Sequence, residues 1–424
     1  MNSRRVHKQI SCIDKGCRFV GVAALTISIG WLSGCGSTPV REELVVAPDI
    51  EQAYLSDKPA ALQSQYRKVL RQGERNLVLN HMDAGLAALD MGFYPTAEHS
   101  FDEALNGIEK VYANDESAAK ARSLWHAEDT KVFKGEPYER CMAYYYRGLL
   151  YMRMGDYENA RASFKGGLLQ DAFAEEDQNR ADFALLIFLQ GWASQMLGDH
   201  ALMQDAYDEV KRLRPDFVMP PEDHDTLVLI ETGKSPRKLS DGVGHYEMVY
   251  RPGRKFKEKK ASINYVGVQK QSYPMEDIYY QATTRGGRAV DRIIKGKVEF
   301  KQSTEKFGSV VGGLADSSSG IASITGSDSA SNASLALGLV SIVSLAASAN
   351  ARTEADTRYW QNLPDVVHIA TLKSQKGMDA VTVQFQDKDG AAIDGMQKTS
   401  TIHIDSKGKG LAWVRSRPAK LAKR

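Results

Sequence analysis

Hydrophobic positions along this chain follow two rhythms. Between residues 57 and 215 apolar side chains return every three or four positions, the spacing of amphipathic helices. Leu62, Tyr66, Leu70 and Leu77 show it and predict a helix over 57–80. After Pro215 the rhythm is broken by Pro220, Pro221, Gly233, Pro236, Gly242, Gly244, Pro252 and Gly253, and short β-rich runs take over. These runs predict strands at 227–231, 247–250, 262–268, 297–301, 366–372, 381–386, 399–404 and 411–414. Val381, Val383 and Phe385 alternate with Thr382 and Gln384, the period of a half-buried strand, and Gln386-Asp387-Lys388-Asp389-Gly390 supplies a hairpin turn. Between the strands lies a Gly/Ser/Ala-rich segment, 307–351. Its apolar part is about 15 residues long, short of the ~20 needed to span a bilayer. It reads as a buried helix behind a flexible loop, with a membrane-inserting hairpin as the alternative.

The helical part repeats itself. Gly92, Tyr94, Ala97, Phe101 and Ala104 recur as Gly155, Tyr157, Ala160, Phe164 and Gly167, and Gly85 and Gly148 each stand seven residues upstream of the first glycine. A third, poorer copy keeps Gly191, Gly198, Tyr207 and Pro215 but has His200 and Met203 where Tyr and Ala stood. This resembles the tetratricopeptide repeat, in which small residues let two antiparallel helices approach and aromatics fill the space between neighbours. Equivalent glycines sit 63 and then 43 residues apart, at 92, 155 and 198, so insertions such as 114–137 interrupt the array. The expected fold is α+β: a tetratricopeptide-like helical stack over 57–215, then a β-rich basic domain over 216–424 carrying the 307–351 insertion. Repeats of this kind offer a concave surface to proteins or peptides; the alternative is a compact bundle without a usable groove.

Residues 1–34 have the order of an export signal: Arg4, Arg5, Lys8, Lys15 and Arg18, an apolar run over 19–30, then small residues. The sequence Leu32-Ser33-Gly34-Cys35 resembles the bacterial lipoprotein signal, which implies that Cys35 becomes the first mature residue and carries lipid on its sulfur, with 35–56 as a lipidated N-terminus and linker. Only a thiolate is nucleophilic enough near neutral pH to form that thioether. The same resemblance implies a sorting rule: Gly36 is not the aspartate that retains such proteins in the inner membrane, so the expected location is the outer membrane, facing the periplasm, with several acyl chains giving a stable anchor.

With 42% hydrophobic and 25% charged residues the composition is that of a globular protein. If, as the resemblance implies, Cys12 and Cys17 belong to the signal and Cys35 is acylated, Cys141 alone remains and no internal disulfide is expected; it reads as a small buried apolar residue. A net charge of +2 conceals an asymmetry. Residues 76–231 hold 28 acidic against 14 basic side chains, whereas 234–301 hold 7 against 16. The basic stretch could meet lipid headgroups or anionic glycan, or dock on the acidic half of its own chain.

Motifs of catalysis are weak. Ser235 and Lys238 fit the SxxK of penicillin-binding enzymes, and Ser240-Asp241-Gly242 half-matches their second motif, but Pro236 and the crowding of both into one segment argue against a helix holding the lysine one turn from the serine. A second SxxK at Ser303 and Lys306 shows how easily the pattern arises. Arg285, Gly286, Gly287 and Arg288 could hold a phosphate or carboxylate with backbone amides and two guanidiniums, or form a tight turn paired with nearby acids. Glu222, Asp223, His224 and Asp225 are metal-type ligands, but adjacent residues rarely converge on one ion, and a solvated linker is the preferred reading. No enzyme activity, metal, cofactor or nucleic acid is expected.

The lipoprotein signal, the interrupted repeats, ETGKSPRK at 231–238, TTRGGRAVDRIIKGK at 283–297 and TRYWQNLPDVVHIA at 357–370 together resemble a family of proteobacterial lipoproteins with tetratricopeptide repeats. Their genes tend to lie beside those for small envelope lipoproteins related to LpoB or CsgG. The resemblance implies envelope proteins, such lipoproteins among them, as partners. The expected function is a periplasmic scaffold or assembly factor; a peptidoglycan-binding module or enzyme, and a subunit of a secretion or assembly pore, are the alternatives.

Overall fold

Three helical hairpins follow one another in the first half of the chain, each turning at the glycine that the repeat marks. The structure, a computed structural model, describes residues 43–109, 132–171, 182–241, 247–284 and 356–422, with only the backbone at Asp241 and Glu247. Helices α1 (Pro48–Leu55) and α2 (Gln63–Gln72) precede the hairpins α3 (Leu77–Asp90) with α4 (Tyr94–Glu109), α5 (Pro137–Arg153) with α6 (Tyr157–Asp171), and α7 (Ala184–Leu197) with α8 (His200–Leu213). At the turns Gly92, Gly155 and Gly198 take φ of 78°, 73° and 75°, a conformation glycine adopts without a Cβ penalty. Seven residues earlier, each inner glycine lies beneath an aromatic ring of the second helix. A Cβ added at Gly85, Gly148 or Gly191 would stand 3.1, 2.2 or 2.7 Å from Phe101, Phe164 or Tyr207. The rings therefore rest directly on helix backbone. Phe101 also stacks on Tyr146 of the next hairpin, 5.7 Å between centroids.

The helix predicted over 57–80 is two helices. Gly73, at φ 57° and ψ −156°, separates α2 from α3, because that backbone conformation stops the ladder. Leu62, Tyr66 and Val69 face the core, and Leu70 is only half-buried.

From Thr226 onward the chain builds sheets. A five-stranded mixed sheet has the order β10-β11-β1-β7-β6, from β1 (Thr226–Thr232), β6 (Tyr273–Asp277), β7 (Val366–Leu372), β10 (His403–Ile404) and β11 (Gly410–Arg415). A four-stranded sheet has the order β5-β4-β8-β9, from β4 (Lys260–Tyr265), β5 (Val268–Gln271), β8 (Ala380–Gln386) and β9 (Ala392–Thr401). A ribbon pairs β2 (Arg237–Asp241) with β3 (Glu247–Arg251), and a short helix α9 (Ile278–Thr284) follows β6. Central β1 is buried along its whole length. Leu227 and Leu229 join the core of the helices, while Val228 and Ile230 join a second core with Val381, Val383 and Phe385 of β8. The alternation expected of β8 is thus the packing of one sheet on the other, and its turn forms where predicted, with Asp387 Oδ1 accepting from Asp389 N and Ala391 N at 2.9 Å.

The fold is α+β in four layers. Outer helices α4, α6 and α8 cover inner helices α3, α5 and α7, which cover the mixed sheet, which in turn covers the antiparallel sheet. The inner helices are buried on nearly every side, whereas α8 buries only Met203, Tyr207 and Val210. Helices up to Leu213 and strands from Thr226 share one hydrophobic core.

Two strand expectations need correction. The run 262–268 is a hairpin, β4 to β5, folded at Val266 (φ 50°) and Gly267 (φ 77°), the two positive φ values of a tight hairpin turn. The run 399–404 passes from one sheet to the other, with Ile402 buried between them. Strands β2 and β6 were not anticipated; β6 carries Pro274 beside a bulge at the sheet's edge, where a residue without N–H is tolerated. The run 297–301, the segment 307–351 and most of 114–137 lie outside the described residues. Among the described residues no helix is long and apolar enough to cross a membrane.

Candidate functional site

Helix α5 carries a polar seam between the helices and the mixed sheet. It is closed at its N-terminus by a capping box in which Glu136 and Glu139 each accept from the other's backbone N–H. Glu139 also accepts from the backbone N–H of Trp360, and burial pushes its carboxyl up to about 7. Glu136 pairs with Lys238 of β2, and both side chains are almost wholly buried. Farther along the helix Tyr146 donates to Glu231 of β1 at 3.1 Å, and Trp413 Nε1 and Arg415 Nε donate to the same carboxylate at 2.8 Å each. Burial pushes Glu231 up while Arg415 beside it pulls the other way. Such pairs add little net stability but cost several kcal/mol to break, so the seam fixes which face of α5 meets the sheet.

The strip that leads into β7 closes this seam. Arg358 donates to Asn76 Oδ1 at 2.8 Å and to the Arg75 carbonyl at 3.0 Å. Trp360 is fully buried against Tyr146 and Phe101, and Asn362 bridges Asp83 and the Lys420 carbonyl. The inner helical face is therefore covered by the chain's own strands. It is not an open groove.

The residues singled out for chemistry separate in space. Ser235 Oγ sits 2.9 Å from the Trp360 carbonyl oxygen and 3.0 Å from that of Pro236, while Lys238, on a strand and not a helix, is committed to Glu136. Asp223 pairs with Lys373 at 3.2 Å, His224 Nδ1 bonds Thr371 Oγ1 at 2.9 Å, and Asp225 accepts from Ser374 N and Oγ at 2.7 Å. The acidic cluster thus has three separate sets of partners, and among the described residues no group of three metal-type ligands is assembled. Cys141 is buried, with Sγ donating to the Gly167 carbonyl at 3.2 Å. Cys35, the anion-binding candidates Arg285, Gly286, Gly287 and Arg288, and the second SxxK lie outside the described residues.

A cavity of about 100 Å³ opens where the first two hairpins meet the ends of β9 and β11. Leu89, Leu149, Leu150 and Leu411 make apolar walls, Tyr94 and Trp413 add rings, and Ser400 and Thr401 bring hydroxyls to its rim. Arg153, in the last turn of α5, lines it with its guanidinium 3.7 Å from the centre of the Tyr94 ring. Among the described residues no carboxylate pairs with that guanidinium. The loop after β10 holds the helix end in place: His403 Nε2 bonds the Arg153 carbonyl oxygen at 2.9 Å, and Asp405 accepts from Tyr157 at 2.9 Å.

Sequence reasoning selected Tyr94 and Tyr157 as repeat positions and quoted Glu231 and Trp360 within the stretches 231–238 and 357–370 without giving either a role; it missed Arg153. Arg153 stands next to the repeat signature, and its partners across the cavity come from about 250 residues later, so no local pattern marks it. No protein-family model matches the chain, and comparison with curated proteins yields no match.

Proposed function

We propose that this is a lipid-anchored adaptor of the bacterial outer membrane, facing the periplasm, in which tetratricopeptide-like hairpins present a partner-binding surface and the β-layers brace them. The lipoprotein-like signal ending at Cys35 supports the anchor. The ring-on-glycine contact shared by the three hairpins supports the repeat reading and is the single observation that carries it. Because the inner helical face is occupied by the mixed sheet, the binding surface in this proposal is the outer one. Glu109, Glu158, Asp205 and Asp208 are exposed there, as are Leu169 and Leu202 and the basic Lys165, Lys211 and Arg212. Exposed leucines on a surface with charges of both signs suit a partner with an apolar centre and a charged rim, such as another envelope lipoprotein.

Two measurements test this. Mass analysis of the native protein should find a mature start at Cys35 bearing acyl chains, and Cys35→Ala should leave the membrane fraction; an unacylated native chain would remove the anchor. Photo-crosslinking side chains placed at Asp205 and Glu158 should capture an envelope protein that the same group at Asp389, on the antiparallel sheet, does not. Equal capture at all three positions would remove the outer helices as the binding surface.

A further inference from the structure

We propose that the cavity between the first two hairpins and the ends of β9 and β11 binds an apolar carboxylate, with Arg153 holding the carboxylate and the leucine walls holding the aliphatic body.

The argument begins with the arginine. A guanidinium presents its N–H groups in its own plane. Arg153 Cζ lies 3.7 Å from the centre of the Tyr94 ring, a cation–π contact that uses none of the guanidinium's N–H donors in a hydrogen bond to a carboxylate. Carboxylates are the groups whose two oxygens match that fork. Arg153 is half-buried, and a cation with reduced access to water and no acidic partner among the described residues is electrostatically incomplete. Being in the last turn of α5, it gains from the helix C-terminus, but that is a fraction of what a paired anion supplies.

The rest of the lining selects the body of the ligand. Leu149 and Leu150 are buried and Leu411 is half-buried, so the floor offers only dispersion and burial. Trp413 contributes its ring, because its N–H is already donated to Glu231 at 2.8 Å. Ser400 and Thr401 line the same cavity as the arginine; Ser400 Oγ has only a long contact of 3.5 Å, to the Thr401 carbonyl oxygen, so these hydroxyls are free to add to a carboxylate's hydrogen bonds. A phosphate is a poorer fit: a single cation and two hydroxyls among apolar walls leave a second negative charge uncompensated. On the scale in which a cavity of about 150 Å³ holds benzene, about 100 Å³ accommodates a branched group of about four carbons. The same chemistry is carried by a small branched acid and by the C-terminal valine or leucine of a polypeptide. The site depends neither on the lipid anchor nor on the outer-helix surface, so it stands or falls separately from them.

The test uses the purified full-length protein in detergent and saturation-transfer NMR with calorimetry. Three probes are compared: 3-methylbutanoate, an acetylated tetrapeptide ending in free leucine, and the same peptide as its C-terminal amide. The free acids should bind, and the amide should bind about tenfold more weakly or worse. A peptide acid tighter than 3-methylbutanoate by about tenfold identifies a chain end as the ligand, and equal affinities identify the small acid as sufficient. Arg153→Gln should lose about tenfold or more. Thr401→Trp, which fills the exposed rim and leaves the arginine in place, should do the same, with circular dichroism melts showing both variants folded. Binding of acid and amide alike, Arg153→Gln within twofold of wild type, or no binding of any probe at about 20 mM would each overturn the proposal.

Discussion

Replacing Gly148 by alanine sets helix propensity against packing. Alanine favours the helix by about 1 kcal/mol over glycine. Against this, the new Cβ would stand 2.2 Å from Phe164 Cε1 and 2.6 Å from Cζ, far inside the ~3.5–4.0 Å at which carbons attract. Phe164 is wholly buried, so in a close-packed interior its ring yields only by displacing its neighbours. Overpacking of a tight core costs about 1–3 kcal/mol, and this contact belongs at the upper end, so the net loss is about 1–2 kcal/mol. At Gly85 the nearest atoms of Phe101 are 3.1 Å away, a gap closed by a few tenths of an ångström, and gain and cost nearly cancel. Gly191, at 2.7 Å from Tyr207, falls between. Urea midpoints at constant m, read by far-UV circular dichroism, should rank Gly85→Ala near wild type, then Gly191→Ala, with Gly148→Ala the least stable. Adding Phe164→Leu to Gly148→Ala should recover part of the loss, with a coupling of at least about 0.5 kcal/mol. A Gly148→Ala variant as stable as Gly85→Ala, or a cycle without coupling, refutes the seating of rings on backbone as the reason for these glycines.

Two further outcomes follow from the seam. Burial raises Glu139 from 4.5 to about 7, so the folded state holds its proton more tightly than the unfolded chain; the stabilisation is complete below pH 4.5 and is lost as pH rises toward 7, at most about 3 kcal/mol. Glu139→Gln should flatten this decline between pH 5 and pH 8 in urea midpoints, and an unchanged slope would show that Glu139 does not titrate in that window. Lys238→Met leaves Glu136 buried without its cation and should cost about 3–5 kcal/mol; adding Glu136→Met should restore most of it, and a single-variant loss below about 1 kcal/mol would mean that water reaches the pair.

What could be read from the sequence was whatever is encoded locally. The hairpins were legible because a glycine and an aromatic 16 residues apart, as at Gly148 and Phe164, bring one small and one large residue to the same crossing. The turn after β8 was legible from its Asp and Gly. The break at Gly73 was hidden because leucines continue at helical spacing through it, and the turn at Val266 because a β-branched residue rarely takes positive φ. One signal was present but unread. ALLIFLQGWASQML in α7 is apolar around most of its circumference, interrupted by Gln190, Ser194 and Gln195, and such a helix must be covered on both faces, which already demanded a layer over the inner helices. The cavity had no signal at all, since Arg153 and Trp413 become neighbours only through the sheet.

Strand β1 sits between two neighbours made much later: β7, and β11, whose Gly410 pairs with Thr226. A chain emerging from its N-terminus therefore completes its helical hairpins long before the strands that roof them exist. Until Arg415 has emerged, Tyr146 lacks its packing against Trp413 and the Glu231–Arg415 pair beside it, and the long-range pairing that completes this side of the helix is of the slow kind. Loss of residues 410–424 would strip β11 from β1 and open the mixed sheet beside the hairpins, so a late truncation should be as damaging as an early one.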